Sequence, residues 1–142
     1  LIGKRPMLGA ERSFVDTNIL IYAISEDDEK KPKALSLLGN HPVLSLQVIH
    51  ECSNVLRRKQ KKPFIDIETI INGFLILTEL VMPDLDTVKH AYRIGQRYGY
   101  SYFDCLMIAS AIDTGCTILY TEDMQENQLI EGTLKIVNPF SV

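Results

Sequence analysis

Cys105, Leu106, Met107, Ile108, Ala109, Ala111 and Ile112 follow one another with little polar interruption, and a helix built from them has no side that favours water. Such a helix must lie at the centre of a domain. Around it, short apolar runs alternate with segments of helical spacing. Strands are expected at Phe14–Asp16, Val43–Ser45, Leu80–Met82, Thr117–Thr121 and Leu134–Val137, and helices at Asn18–Ile24, Ala34–Leu38, Gln47–Lys59, Asp66–Thr78 and Thr87–Tyr98. Gly39, Gly99 and Gly115 close helices, while the run Glu26–Lys33, with Pro32, reads as a solvated loop. This alternation predicts an α/β fold, a three-layer α/β/α sandwich on a mainly parallel sheet. The 142 residues suit one core. Residues 1–12 read as an N-terminal extension or expression remnant, and 13–142 as a single domain.

Four acids stand at the edges of apolar segments: Asp16 in FVDTNIL, Glu51 in QVIHECSNVL, Asp104 in YFDCLMIASAI and Asp123 in ILYTEDM. In parallel sheets ligands bind beyond the carboxyl ends of the strands, where Asp16 and Asp123 fall. Carboxylates gathered there repel, at about 4 kcal/mol for a pair about 4 Å apart at an effective dielectric near 20. A hard divalent cation relieves that repulsion, so the pattern points to metal-dependent chemistry on phosphate esters.

Each acid also has an ordinary structural reading. Asp16 can cap the helix beginning near Asn18. Asp104 can complete a capping box with Ser101, an arrangement compatible with a carboxylate turned into a cleft. Glu51 borders the apolar stripe of Val48, Ile49, Cys52, Val55 and Leu56, so it either lines a cleft or meets water. Glu122 competes with Asp123, which is favoured because Thr121, two residues earlier, can orient it. The basic run Arg57, Arg58, Lys59, Lys61 and Lys62 either complements a helix dipole in a solvated tail or grips phosphates leading to the acids.

His41, His50 and His90 lack the spacing of a zinc helix motif, and Cys52, Cys105 and Cys116 lack CxxC spacing, so oxygen ligands and Mg2+ or Mn2+ fit better than zinc. No glycine-rich phosphate loop and no GxSxG elbow is present. A formal net charge of −3 argues against binding nucleic acid through a globally basic surface, leaving a local patch. The odd cysteine count suggests thiols in a reducing compartment, and with no span long enough for a bilayer the expected setting is cytoplasmic, without a membrane partner.

Taken in order, FVDTNIL, an acid within the third helical pattern, YFDCLMIASA and ILYTED resemble the PIN domain, specifically the VapC-type ribonuclease toxins of toxin–antitoxin systems. The likeness runs from Phe14 to about Phe140, with Tyr102 standing where many relatives have tryptophan. The resemblance implies a fold whose acids bind one or two magnesium or manganese ions and cut RNA. Asp16 and Asp104 match the principal ligands, and Glu51 and Asp123 the remaining acids. Thr17, Asn18, Ser101 and Thr121 would support them by hydrogen bonds. A small antitoxin protein and a homodimer are the implied partners. Attack by water, with Asp123 or Glu51 orienting or deprotonating it, gives products with a 5'-phosphate and a 3'-hydroxyl. The alternatives are a PIN nuclease for RNA processing or structured DNA without a toxin role, and a catalytically inert module of the same fold.

Overall fold

The structure, a computed structural model, describes residues 11–141. Most of the 1–12 segment thus lies outside the described residues. Its last residue, Arg12, is bonded to the rest of the domain: the guanidinium donates to the Thr114 carbonyl and pairs with Glu79, while the Arg12 carbonyl accepts from the Thr117 N–H.

The elements follow the expected alternation. In chain order they are β1 (Ser13–Val15), α1 (Thr17–Ala23), α2 (Lys30–Leu38), β2 (Val43–Ser45), α3 (Leu46–Arg58), α4 (Phe64–Leu77) and β3 (Glu79–Val81). Then come α5 (Leu85–Tyr98), α6 (Tyr102–Asp113), β4 (Ile118–Tyr120), β5 (Leu129–Ile130) and β6 (Leu134–Val137). The six-stranded sheet has the order β3-β2-β1-β4-β6-β5 and is parallel except for β5 against β6.

That order fixes where the helices go. From β1 the chain steps to β2 and β3 in one direction, then returns across the sheet to β4 on the other side of β1. Right-handed crossovers therefore place α1 to α4 on one face and α5 with α6 on the other. The strand order reverses between β1 and β4, whose carboxyl ends open the crevice at which such sheets bind ligands. Asp16 follows β1, and Thr121 to Asp123 follow β4.

The core confirms the reading of α6. Cys105, Met107, Ile108, Ala109 and Ala111 are buried, and so are Phe14, Leu119 and Ile136, which face one another across β1, β4 and β6. The three cysteines are free and buried. Ser101 caps α6 by accepting the Asp104 N–H at 3.4 Å. Gly99 (φ +76) and Gly115 (φ +82) take the left-handed conformation that ends α5 and follows α6. Among the described residues no helix is long and apolar enough to cross a membrane.

Two local expectations differ. The Glu26–Lys33 run is not wholly a loop, because α2 begins at Lys30 and takes in Pro32. Proline is tolerated there since first-turn N–H groups lack intrahelical acceptors, and the Asp27 carboxylate accepts two of those near the start, from Glu29 and Lys30. The strand β5 has only two residues, too few to show alternation, and forms because residues 131–133 turn back through positive φ at Glu131 and Gly132.

Candidate active site

Asp16, Glu51, Asp104 and Asp123 line one cavity of about 350 Å3 at the reversal of strand order, together with Asn18, Glu122 and Lys59. Four separate elements supply the acids: the end of β1, the middle of α3, the first turn of α6 and the segment after β4.

Asp16 is both cap and cavity residue. Its Oδ1 accepts the Thr17 N–H at 2.6 Å and its Oδ2 accepts the Thr121 hydroxyl at 2.7 Å, so both carboxylate oxygens are aimed by the backbone turn into α1 and by the end of β4. Asn18 joins the two strand ends, its Nδ2 lying 3.4 Å from Asp16 Oδ2 and 3.1 Å from Asp123 Oδ2. Thr121 serves Asp16 more directly than Asp123: its hydroxyl donates to the former and accepts only the backbone N–H of the latter, at 3.1 Å. The expected orientation of Asp123 by Thr121 therefore acts through the main chain, while Asn18 holds the carboxylate.

Glu51 is held from two sides. Thr17 donates its hydroxyl to Oε2 at 2.9 Å, and Gln47 donates its amide to Oε1 at 3.1 Å and to the Phe103 carbonyl at 2.9 Å. Gln47 stands outside the sequence motifs, although its position one helical turn before Glu51 is the spacing at which side chains meet. Tyr22 and Lys30 stand outside the motifs too. They bind the Glu122 carboxylate at 2.6 and 3.1 Å, so that its charge is already offset, which separates Glu122 from Asp123. No local signal links Lys30 to a residue 92 positions later.

The basic run divides. Lys59 lines the acid cavity, Arg58 and Lys59 line a neighbouring one, and Arg57 is engaged with the Lys62 carbonyl. Lys61 and Lys62 are not among the lining residues of either cavity.

Burial dominates the electrostatics. Asp16, 6% exposed, has its carboxyl pushed up to about 6; loss of water outweighs the hydrogen bonds from Thr121 and Thr17, and repulsion from Glu51 and Asp123 adds to the rise. Asp104 shifts upward for the same leading reason, opposed by Ser101 and reinforced by Glu51 and Asp123.

A hard dication fits this donor set. The ligating atoms on offer are carboxylate oxygens, and the negative charge exceeds what the cavity's own side chains offset. Among the described residues no three His, Cys, Asp or Glu side chains are already gathered as a ligand cluster. The acids wall the cavity instead, with Asp16, Glu51 and Asp123 held by Thr, Asn and Gln donors.

The PIN domain family model matches residues 13–127. Among solved structures, a toxin–antitoxin complex from Klebsiella pneumoniae is similar at TM-score 0.70 and 22% identity, over 92% of this chain and 99% of that chain. DNA-bound VapBC from Salmonella typhimurium is similar at TM-score 0.67 and 19% identity, over 89% of this chain and 97% of that one. VapC20 of Mycobacterium tuberculosis, a sarcin-ricin loop cleaving toxin, is similar at TM-score 0.63 and 19% identity, over 78% and 91%. At such identities the likeness establishes the fold. No curated protein sequence matches the chain.

Proposed function

We propose that this chain, which belongs to the PIN domain family, is a divalent-metal-dependent endoribonuclease and the toxin of a toxin–antitoxin pair. The observation that carries the reading is Asp16: a buried carboxylate oriented through both oxygens, in one cavity with Glu51, Asp104 and Asp123. A capping residue alone needs one oriented oxygen and no acidic neighbours. The toxin role draws on the similar structures, two of which are described as toxin–antitoxin or DNA-bound VapBC assemblies. An antitoxin partner and an RNA substrate follow from that likeness.

Asp16, Asp104, Glu51 and Asp123 would hold Mg2+ or Mn2+, which when bound supplies positive charge and Lewis acidity toward a phosphate oxygen. The remaining work falls to the chain. Thr121, Thr17 and Asn18 fix the ligand oxygens before substrate arrives, so little reorganisation is needed during the reaction. Glu51 or Asp123 accepts the proton of the attacking water, and no covalent intermediate with the protein is required. Water as nucleophile leaves the ribose 2'-hydroxyl out of the reaction.

Incubating single-stranded RNA with the protein and manganese is expected to give fragments ending in 5'-phosphate and 3'-hydroxyl, and a chelator is expected to stop their formation. A 2',3'-cyclic phosphate end would contradict water as the nucleophile. A short neighbouring reading frame for a DNA-binding antitoxin would separate the toxin from an RNA-processing nuclease.

A further inference from the structure

The basic run at the end of α3 is divided by the fold. Arg57 donates to the Lys62 carbonyl at 3.0 Å and its guanidinium lies 4.5 Å from the Phe64 ring centroid, so it closes the turn into α4. Lys59 instead joins the wall of the acid cavity. Arg58 and Lys59, with Asn54 and Val55, line a second cavity of about 300 Å3. Val55 and Lys59 belong to both, so an acidic hollow and a basic one adjoin at the carboxyl end of α3.

Resting on the nuclease reading above, we infer that Lys59 and Arg58 are positioning residues that bind the phosphate next to the scissile one, so that the RNA backbone leaves the acids over the end of α3. A wall of carboxylates repels a polyanion, and the substrate must be anchored by cations beside that wall. Lys30 is already engaged with Glu122, and Arg57 with the turn. Lys59 and Arg58 are exposed at the junction. Their long side chains suit phosphate oxygens, Arg by a planar fork and Lys as a point charge. A substrate lacking the flanking phosphate is therefore a poor one.

The test uses the full chain carrying Asp104→Asn, so that a short fluorescent single-stranded RNA survives, and reads affinity against salt. Each phosphate contact on a single strand contributes about 0.7 to the slope of log affinity against log salt. Adding Lys59→Met and Arg58→Met together is expected to reduce that slope by about 0.7, the share of the one flanking phosphate they bind, with each alone giving part of that loss. Lys135→Met, on β6 opposite Ile118 at the amino end of the parallel strands, is expected to leave it unchanged. In the chain with all acids intact, the double basic variant is expected to raise KM on the order of tenfold with kcat retained. A neutral methylphosphonate at the flanking position is expected to reproduce this loss in the unmodified chain and add little in the variant. A slope indifferent to both substitutions, or reduced equally by Lys135→Met, overturns the assignment. Failure of the intact chain to cut RNA in manganese sinks the nuclease reading instead, and the salt slope is read without any cleavage.

Discussion

Asp16→Asn and Asp104→Asn are each expected to lower manganese-dependent RNA cleavage on the order of 10³-fold, about 4 kcal/mol of transition-state stabilisation. Asparagine keeps the size of the side chain and one carbonyl oxygen. At Asp16 it still accepts the Thr17 N–H, so α1 retains its cap and the fold persists. What disappears is the negative charge at the point where β1 and β4 end. Glu122→Gln supplies the contrast, with an expected change of only a few-fold, since Lys30 and Tyr22 already occupy that carboxylate. Turnover by protein stripped of metal and reloaded with manganese, on labelled RNA, measures all three. Cleavage that survives both aspartate substitutions, or a loss at Glu122 as large as at Asp16, contradicts the assignment of roles.

The second large effect is on stability, and its sign is opposite to that of most substitutions of a bonded buried residue. Without metal, Asp16→Asn is expected to stabilise the fold at neutral pH by up to roughly 3 kcal/mol, because the carboxyl rises from 3.8 to about 6 on folding. Below the unfolded value both states hold the proton, and Asp16 carries no penalty. Between the two values the folded chain retains a proton that the unfolded chain has released, so stability falls as pH rises. Above about 6 the penalty is complete. Asparagine cannot ionise and escapes it. Urea denaturation in chelator at acid and neutral pH should show the variant gaining on the parent only as pH rises. Manganese should then restore the parent and leave the variant unmoved. Equal stabilities at neutral pH, or the same difference at both, would mean that the buried charge is not strained.

The legibility of this chain follows from which signals are local. The buried helix α6 was visible because an all-round apolar surface is a property of consecutive residues, and β1, β2 and β6 because each short apolar run stands apart from its flanks. The four acids are visible for the same reason, each standing at the edge of an apolar segment. Pro32 misled because a proline breaks a helix interior but not its first turn, and the start of α2 rests on Asp27 accepting backbone N–H groups of Glu29 and Lys30. The support around the acids was legible only in part. Thr17, Asn18 and Thr121 adjoin the motifs, and Gln47 lies one turn from Glu51. Lys30, by contrast, meets Glu122 only after the sheet has brought α2 beside the end of β4. Thr121 was expected to serve its neighbour Asp123 and serves Asp16 across the sheet, a contact between residues 105 apart.

Titrating manganese into the metal-free protein at neutral pH, with the free ion followed by its paramagnetic resonance signal, tests most directly whether these carboxylates form one cation site. Saturable uptake is expected, displaced by magnesium and lost in both Asp16→Asn and Asp104→Asn. No uptake, or uptake that persists when both aspartates are replaced, would contradict it.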